Sequence, residues 1–359
     1  MSFIPKRVEK LKERLAKESL DGMLVTNLTN VRYLSGFTGS AGSCLILGGK
    51  NYFISDGRYL TQSRAQVQGM KIIIDAGSHL QIIRDNNLIS NGASLGFEAD
   101  FLPVTQMNNL RELFPDTQWE ATSRFVEEIA AVKDESELRA LRTAVEITDK
   151  VFDQLIPDLR TGSVEREVAA KISFAYKILG AEGDSYNPIV ASGPNSALPH
   201  AVPSDREFQD GDFVVMDFGA LYQGYHADMT RTVAIGSITD RHREVYAVVQ
   251  EAQKRGCEAA QAGMTCRELD AVTRDYIKEQ DYGDYYVHGT GHGLGLEVHT
   301  MPRISQISDD TLQENYVVTI EPGIYIPEWG GVRIEDDVII QKDGCEILNR
   351  STKELLVLS

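Results

Sequence analysis

The chain has 359 residues, a formal net charge of −17, and 42% hydrophobic and 25% charged residues. This length suits two domains, each with a core large enough to stand without disulfide staples. The acidic balance would be repelled by a phosphate backbone, which argues against nucleic acid as a partner, and no apolar run approaches the roughly 18 residues of a membrane helix.

Residues 5 to 18 predict a helix with Val8, Leu11 and Leu15 on one face. "GMLVT" (22 to 26) reads as a buried strand, and "SCLILGGKNYFIS" (43 to 55) as a hairpin around Gly48-Gly49. "KIIIDA" and "SLGFEA" are further strands with helical "LQIIRDNNL" between them, and "TQMNNLRELF" is another helix. Strands alternating with helices imply an α/β domain over residues 1–124, a mixed sheet with flanking helices. A connector follows, then a long helix starting near Asp134, with Asp134 or Ser136 as its cap. The second domain, 125–359, is α+β, with helices at about 164 to 180, 239 to 262 and 265 to 280 and several strand pairs.

Cys44, Cys257, Cys266 and Cys345 are scattered, which argues against a disulfide framework and a thiolate zinc site. With a charged N-terminus lacking an apolar stretch, they fit a reducing, cytoplasmic setting.

Carboxylates recur in two hairpins of the second domain. In "VVMDFGALYQGYHADMTRTVAIG" (214 to 236), Asp217 and Asp228 lie in opposite arms. With Tyr222-Gln223 as the turn they face each other directly, and their repulsion calls for a cation; with a shifted turn one of them faces solvent. In "NYVVTIEPGIYIPEWGGVRIEDDVII" (315 to 340), Glu321 and Glu335 lie in the two arms, with Pro322-Gly323 and Gly330-Gly331 near the bend. Glu335-Asp336-Asp337 is either an exposed acidic cluster or a strand that points one carboxylate inward. Two such hairpins suggest a pseudo-two-fold arrangement. Four carboxylates converging in a core require a metal to stay ionised together.

Three histidines fall in "HGTGHGLGLEVH" (288 to 299). Glycine at every second position excludes a zinc-protease helix, a phosphate loop and a dinucleotide fingerprint. It suits a ribbon approached closely by other backbone or by a ligand. Histidine with carboxylates is a donor set for Mn, Co or Zn, and two ions sharing bridging carboxylates would use all four acids.

"NVRYLSGFTGSAG", "FISDGRYL", "ASGPNSALPHA", both hairpins and the histidine ribbon together resemble the Xaa-Pro peptidases, aminopeptidase P and prolidase, over essentially the whole chain. The resemblance implies a creatinase-like N-terminal domain and a pita-bread catalytic domain with pseudo-two-fold symmetry. It implies two divalent metal ions, Mn foremost, with Asp217 on one, His292 and Glu321 on the other, and Asp228 and Glu335 bridging. Glu321 would also accept the proton of the nucleophile. His200, His288 and His299 would contact the substrate, the last two stabilising the oxyanion, with Tyr325 and Arg333 orienting ligands. Peptides with proline second would be the substrates, and a homodimer is expected. Thr300, where relatives often carry an acid, and Tyr186, where Phe is common, depart from the pattern, and His226 lies at a variable position.

Methionine aminopeptidase is disfavoured by the sizeable first domain, and creatine amidinohydrolase and an inactive binding module by the intact ligand set. Between aminopeptidase and dipeptidase, the wall at the proline carboxylate decides. The loop "SGFTGSAG" (35 to 42) and Arg58 are candidates for it, although a structural turn and an ion-paired surface arginine are the plainer reading. The loop carries no bulky blocking residue, so the expectation is an aminopeptidase-P-like enzyme, with a prolidase as the alternative.

Overall fold

The computed structural model describes residues 3–359, which divide into two compact units, one ending at Ala130 and the other spanning Ala131–Ser359. The division falls inside the helix Phe125–Ala131, a few residues beyond the boundary expected at 124.

In the first unit, the helix Ile4–Lys17 buries Val8, Leu11 and Leu15, so the apolar spacing does set its inward face. The sheet has six strands in the order Lys71–Ile74, Asn51–Ser55, Ser43–Leu47, Gly22–Val25, Ser94–Glu98, Gln118–Thr122. The hairpin Ser43–Ser55 turns at Gly48-Gly49 as expected, and its antiparallel pairs sit among parallel ones, giving a mixed sheet. The helix Leu28–Ser35 was not anticipated; Asn27 caps it by accepting a hydrogen bond from the Thr29 amide. Arg58 pairs with Asp56 on the surface of this unit, the plainer of the two readings.

The second unit repeats one plan twice. A 21-residue helix, Glu135–Leu155, and a 14-residue helix, Glu165–Ile178, precede the long hairpin 213–235. A 20-residue helix, Asp240–Ala259, and a 14-residue helix, Cys266–Glu279, precede the long hairpin 317–341. Local chemistry starts the helices. Asp134 accepts from the amides of Ser136 and Glu137 while Glu137 accepts from the Asp134 amide, and Thr265 and Glu268 do the same for the last helix. The hairpins sit in a four-stranded and a five-stranded sheet whose apolar faces pack on the helix pairs. No helix of the described residues is long and apolar enough to cross a membrane.

Candidate active site

The first hairpin turns one residue later than expected. Gln223 and Gly224 have φ of 50° and 79°, the left-handed pair of a type I′ turn, so Tyr222 faces Tyr225 and Asp217 faces Thr230, not Asp228. The arms are interrupted at Phe218-Gly219 and Ala227–Met229, where Phe218 donates to the Met229 carbonyl at 3.0 Å. A Cβ on Gly219 would lie 1.7 Å from the Ala227 oxygen, so only glycine permits this close crossing. Asp228 is thus diagonal to Asp217, two residues short of Thr230 and on the same face. The Tyr186 hydroxyl hydrogen-bonds to Oδ1 of both, and Arg333 donates to Asp217 Oδ2.

The second hairpin bends at Pro327–Trp329, with Glu328 at φ 62°, so Gly330-Gly331 directly follows the bend and Pro322-Gly323 lies a few residues before it, near it as expected. Thr319 faces Asp337 and Gly323 faces Arg333, one register on both sides of a break that holds Glu321 and Glu335 level with each other. The two hairpins meet here. The Glu335 amide donates to the Thr230 carbonyl at 3.1 Å, and Thr230 Oγ1 donates to Glu335 Oε2 at 2.6 Å. The acidic triplet is neither exposed nor split: Glu335, Asp336 and Asp337 are all buried, because this strand is covered on both faces. Asp336 points to Arg231 and Lys353, while Asp337, on the opposite face, accepts the Asp228 amide at 3.0 Å.

The histidine ribbon runs between the hairpins. A Cβ on Gly291 or Gly293 would lie 2.0 Å from the Thr319 oxygen or 2.1 Å from the Met301 oxygen, so the alternate glycines admit backbone on both sides. His292 Nδ1 lies 3.2 Å from the Gly293 carbonyl and donates to it, which leaves the Nε2 lone pair facing Asp228 Oδ2 at 3.6 Å and Glu321 Oε1 at 3.5 Å. Burial holds the His292 ring below its ordinary pKa, so it stays neutral and can ligate.

Ligand atoms of Asp228, His292 and Glu335 all lie within 4.8 Å of one another. Donors on one ion with bonds of about 2.0–2.2 Å stand no more than roughly 4.4 Å apart, so a small contraction closes this group on a cation. The electrostatics agree. Burial, with neighbouring Asp217, Asp337 and Glu321, pushes the Asp228 carboxyl well up, and burial with Asp228, Glu321 and Asp217 does the same to Glu335. A divalent charge reverses both pressures, so a metal fits this donor set.

The remaining candidates gather around the same cavity, of about 430 Å³. His200, His299 and Arg333 line it, and the His299 ring is 4.4 Å from that of His292. Tyr325 lies behind, in a chain: Arg333 donates to its hydroxyl at 2.7 Å, and the hydroxyl is 2.8 Å from His288 Nε2. His288 Nδ1 meets the Gly289 carbonyl at 2.8 Å, so both nitrogens of His288 are engaged. Sequence reasoning missed two wall residues. Tyr186 was noted only as a departure from the family, and Arg303 not at all; the ladder between Gly291–Gly293 and Thr300–Ile304, which sets Arg303 opposite His292, holds a bulge that no local pattern reveals.

Residues 139–342 match the profile of metallopeptidase family M24, and residues 7–132 that of the creatinase/prolidase N-terminal domain. An Xaa-Pro dipeptidase from Pyrococcus furiosus is 39% identical, over 98% of this chain and 99% of that one. The structure of an Xaa-Pro dipeptidase from Bacillus anthracis superposes with a TM-score of 0.95 at 42% identity, covering 99% and 100% of the two chains. An X-Pro aminopeptidase from Thermotoga maritima gives 0.90 at 36%, covering 95% and 98%. With the two-domain plan, the doubled hairpins and the buried Asp–His–Glu cluster, these likenesses make the chain a metallopeptidase that belongs to the Xaa-Pro peptidase family, M24 with a creatinase/prolidase N-terminal domain.

Proposed function

We propose that the protein is an Xaa-Pro dipeptidase working with two divalent cations, Mn before Co or Zn, as a homodimer. One observation carries the choice of dipeptidase. Arg303 lines the cavity, sits opposite His292 in the ladder, and makes no ion pair among the described residues. Arg333, the other cation there, is committed to Asp217 and Tyr325. A dipeptide ending in proline brings a free carboxylate close to the scissile bond, where a longer peptide brings a neutral amide. An unpaired guanidinium suits the former. Relatives named dipeptidases support the same reading, which replaces the expectation of an aminopeptidase. That expectation rested on the absence of a blocking side chain in residues 35 to 42 and took no account of charge in the cavity itself.

Asp217, Asp228, His292, Glu321 and Glu335 would hold the ions, with Asp228 and Glu335 between them. When bound, the ions supply a more acidic water and polarise the amide carbonyl. Glu321 accepts the proton from the attacking water. Its Oε1 stands 3.5 Å from His292 Nε2 at the edge of the donor cluster, and burial holds its carboxyl above the usual range, against the opposing pull of His288 and Arg333. His299 donates to the oxyanion as it forms; His288, whose proton sits on Nδ1 for the Gly289 carbonyl, presents Nε2 to the substrate as an acceptor in place of the Tyr325 hydroxyl, so the oxyanion contact expected of both falls to His299. His200 binds the substrate at the rim. Ile189, Pro199 and Val298 form an apolar wall for the pyrrolidine ring. Steady-state comparison of Xaa-Pro with Xaa-Pro-Xaa peptides tests this. The dipeptide should be preferred by at least about 10²-fold in kcat/KM, and Arg303→Met should erase that preference. Equal or faster turnover of the longer peptide would return the reading to aminopeptidase.

A further inference from the structure

The loop that carries His200 is tied at both ends to one buried carboxylate outside the cavity. Glu165, the first residue of the helix Glu165–Ile178, is fully buried. It accepts hydrogen bonds from the Ser192 amide at 2.7 Å and hydroxyl at 2.7 Å, just before the loop. It accepts from the Ser204 amide at 2.9 Å and hydroxyl at 2.6 Å, just after it. Asn195 Nδ2, inside the loop, reaches both oxygens at 3.1 and 3.2 Å. Between these anchors the loop touches the strand Gly330–Arg333. Ser196 Oγ accepts the Gly331 amide at 2.8 Å, and the Pro199 carbonyl accepts from Arg333 at 3.2 Å. His200 follows directly, exposed and facing the cavity.

A carboxylate is the group this junction needs. Its two oxygens offer about four lone-pair sites and no donor, and every group aimed at it is a donor. A glutamine there would turn an N–H against the donors of one loop end, and an aspartate would be too short to serve both ends. Burying a charge with no cation on it is costly unless several hydrogen bonds replace its water, and five donors do so here. Burial alone would raise the carboxyl, but the Ser204 and Ser192 donors hold it below its ordinary value, so it remains a carboxylate at neutral pH.

We infer that Glu165 is a positioning residue for substrate binding: by closing residues 193–203 at both ends it sets where His200 meets the substrate, without touching the metal cluster. The inference rests on the substrate-contact role proposed for His200. The experiment uses the full-length protein with Glu165→Gln, Asn195→Ala and His200→Ala. Three readouts are taken: hydrogen exchange of residues 193–203, kcat and KM on an Xaa-Pro dipeptide, and Mn²⁺ affinity of metal-stripped protein by calorimetry. In Glu165→Gln, loop amides should exchange about tenfold faster and KM should rise about tenfold. Its kcat should stay within about threefold and Mn²⁺ affinity should be unchanged. Asn195→Ala should move exchange and KM the same way by less, and it decides the matter if Glu165→Gln does not fold. Unchanged loop exchange, or unchanged KM while His200→Ala raises it, overturns the inference. If His200→Ala itself leaves KM unchanged, the role given to His200 fails instead. A loss of Mn²⁺ affinity in Glu165→Gln equal to its loss of activity would also overturn it.

Discussion

The two long hairpins of the catalytic unit follow one plan and hold their carboxylates differently. Each is interrupted once in either arm, and each interruption carries an acidic residue at or beside it. In the hairpin 317–341, Glu321 and Glu335 stand level across the break. In the hairpin 213–235, the type I′ turn at Gln223-Gly224 sets Asp217 against Thr230 and leaves Asp228 diagonal to it. Two level acids and two staggered ones are compensated by different neighbours. Tyr186 and Arg333 hold the staggered pair, while threonine hydroxyls hold the level pair, Thr319 on Glu321 at 3.2 Å and Thr230 on Glu335. The stagger teaches that a carboxylate of the donor cluster can sit inside a ladder break rather than in a ladder. Asp228 spends its backbone amide on Asp337 of the other hairpin, while its carboxylate is held by the Tyr186 hydroxyl and faces His292.

The hardest way to break this arrangement is to remove the staggered acid. Asp228→Asn should lower Mn²⁺ affinity and turnover by at least about 10³-fold, read by calorimetry and steady-state kinetics. Full activity in that variant would refute the bridging role. Next is the ion pair beneath the level acids. Arg231, 1% exposed, pairs with Asp336, 0% exposed, at 2.7 Å, and also donates to the Glu335 carbonyl. Arg231→Met should cost about 3–5 kcal/mol in chemical denaturation, because the buried Asp336 charge is left with one cation, Lys353, and the Gln253 amide. A cost below about 1 kcal/mol would mean the pair does not support the hairpin.

A pH series sharpens the comparison, because only the second hairpin is entered beside a buried lysine. The Lys133 amide donates to the Asn315 carbonyl, and its ammonium, 3.1 Å from the Ala131 carbonyl, is pushed down to about 8 by burial, against the opposing pull of Glu137. The folded value lies below the unfolded one, so between about pH 8 and 10.5 the unfolded chain binds more protons and stability rises with pH. The rise is bounded by roughly 3 kcal/mol. The difference in melting temperature between the wild type and Lys133→Met should therefore change across that window and be flat below it. A flat difference throughout would remove Lys133 from the account. The smallest effect belongs to Tyr186. Tyr186→Phe keeps the ring and loses both hydrogen bonds, so Mn²⁺ affinity should fall by about tenfold with little change in melting temperature. Equal or tighter binding would show that the hydroxyl does not orient Asp217 and Asp228.

Much was legible from local pattern alone. Capping chemistry at Asp134 and Thr265 and apolar spacing at Val8, Leu11 and Leu15 determined where helices run and which face they bury, since these depend on residues within one or two turns. The acids of the two hairpins and the histidine ribbon were visible as a donor set before any geometry, and so was the doubling of the hairpins, while the choice of His292 among the histidines came from the family resemblance. What only the tertiary structure decided is pairing at a distance. A shift of the turn by one residue moved Asp217 from Asp228 to Thr230, because register depends on which two residues accept positive φ. The triplet Glu335-Asp336-Asp337 could be read as exposed or as pointing one carboxylate inward, and all three are buried because Thr230, Arg231 and Asp228, over a hundred residues earlier, meet them from both faces. Arg303, Tyr186 and Glu165 carry no local signature at all. Their importance comes from what the fold brings against them, and long-range contacts of that kind are written in no stretch of sequence short enough to read.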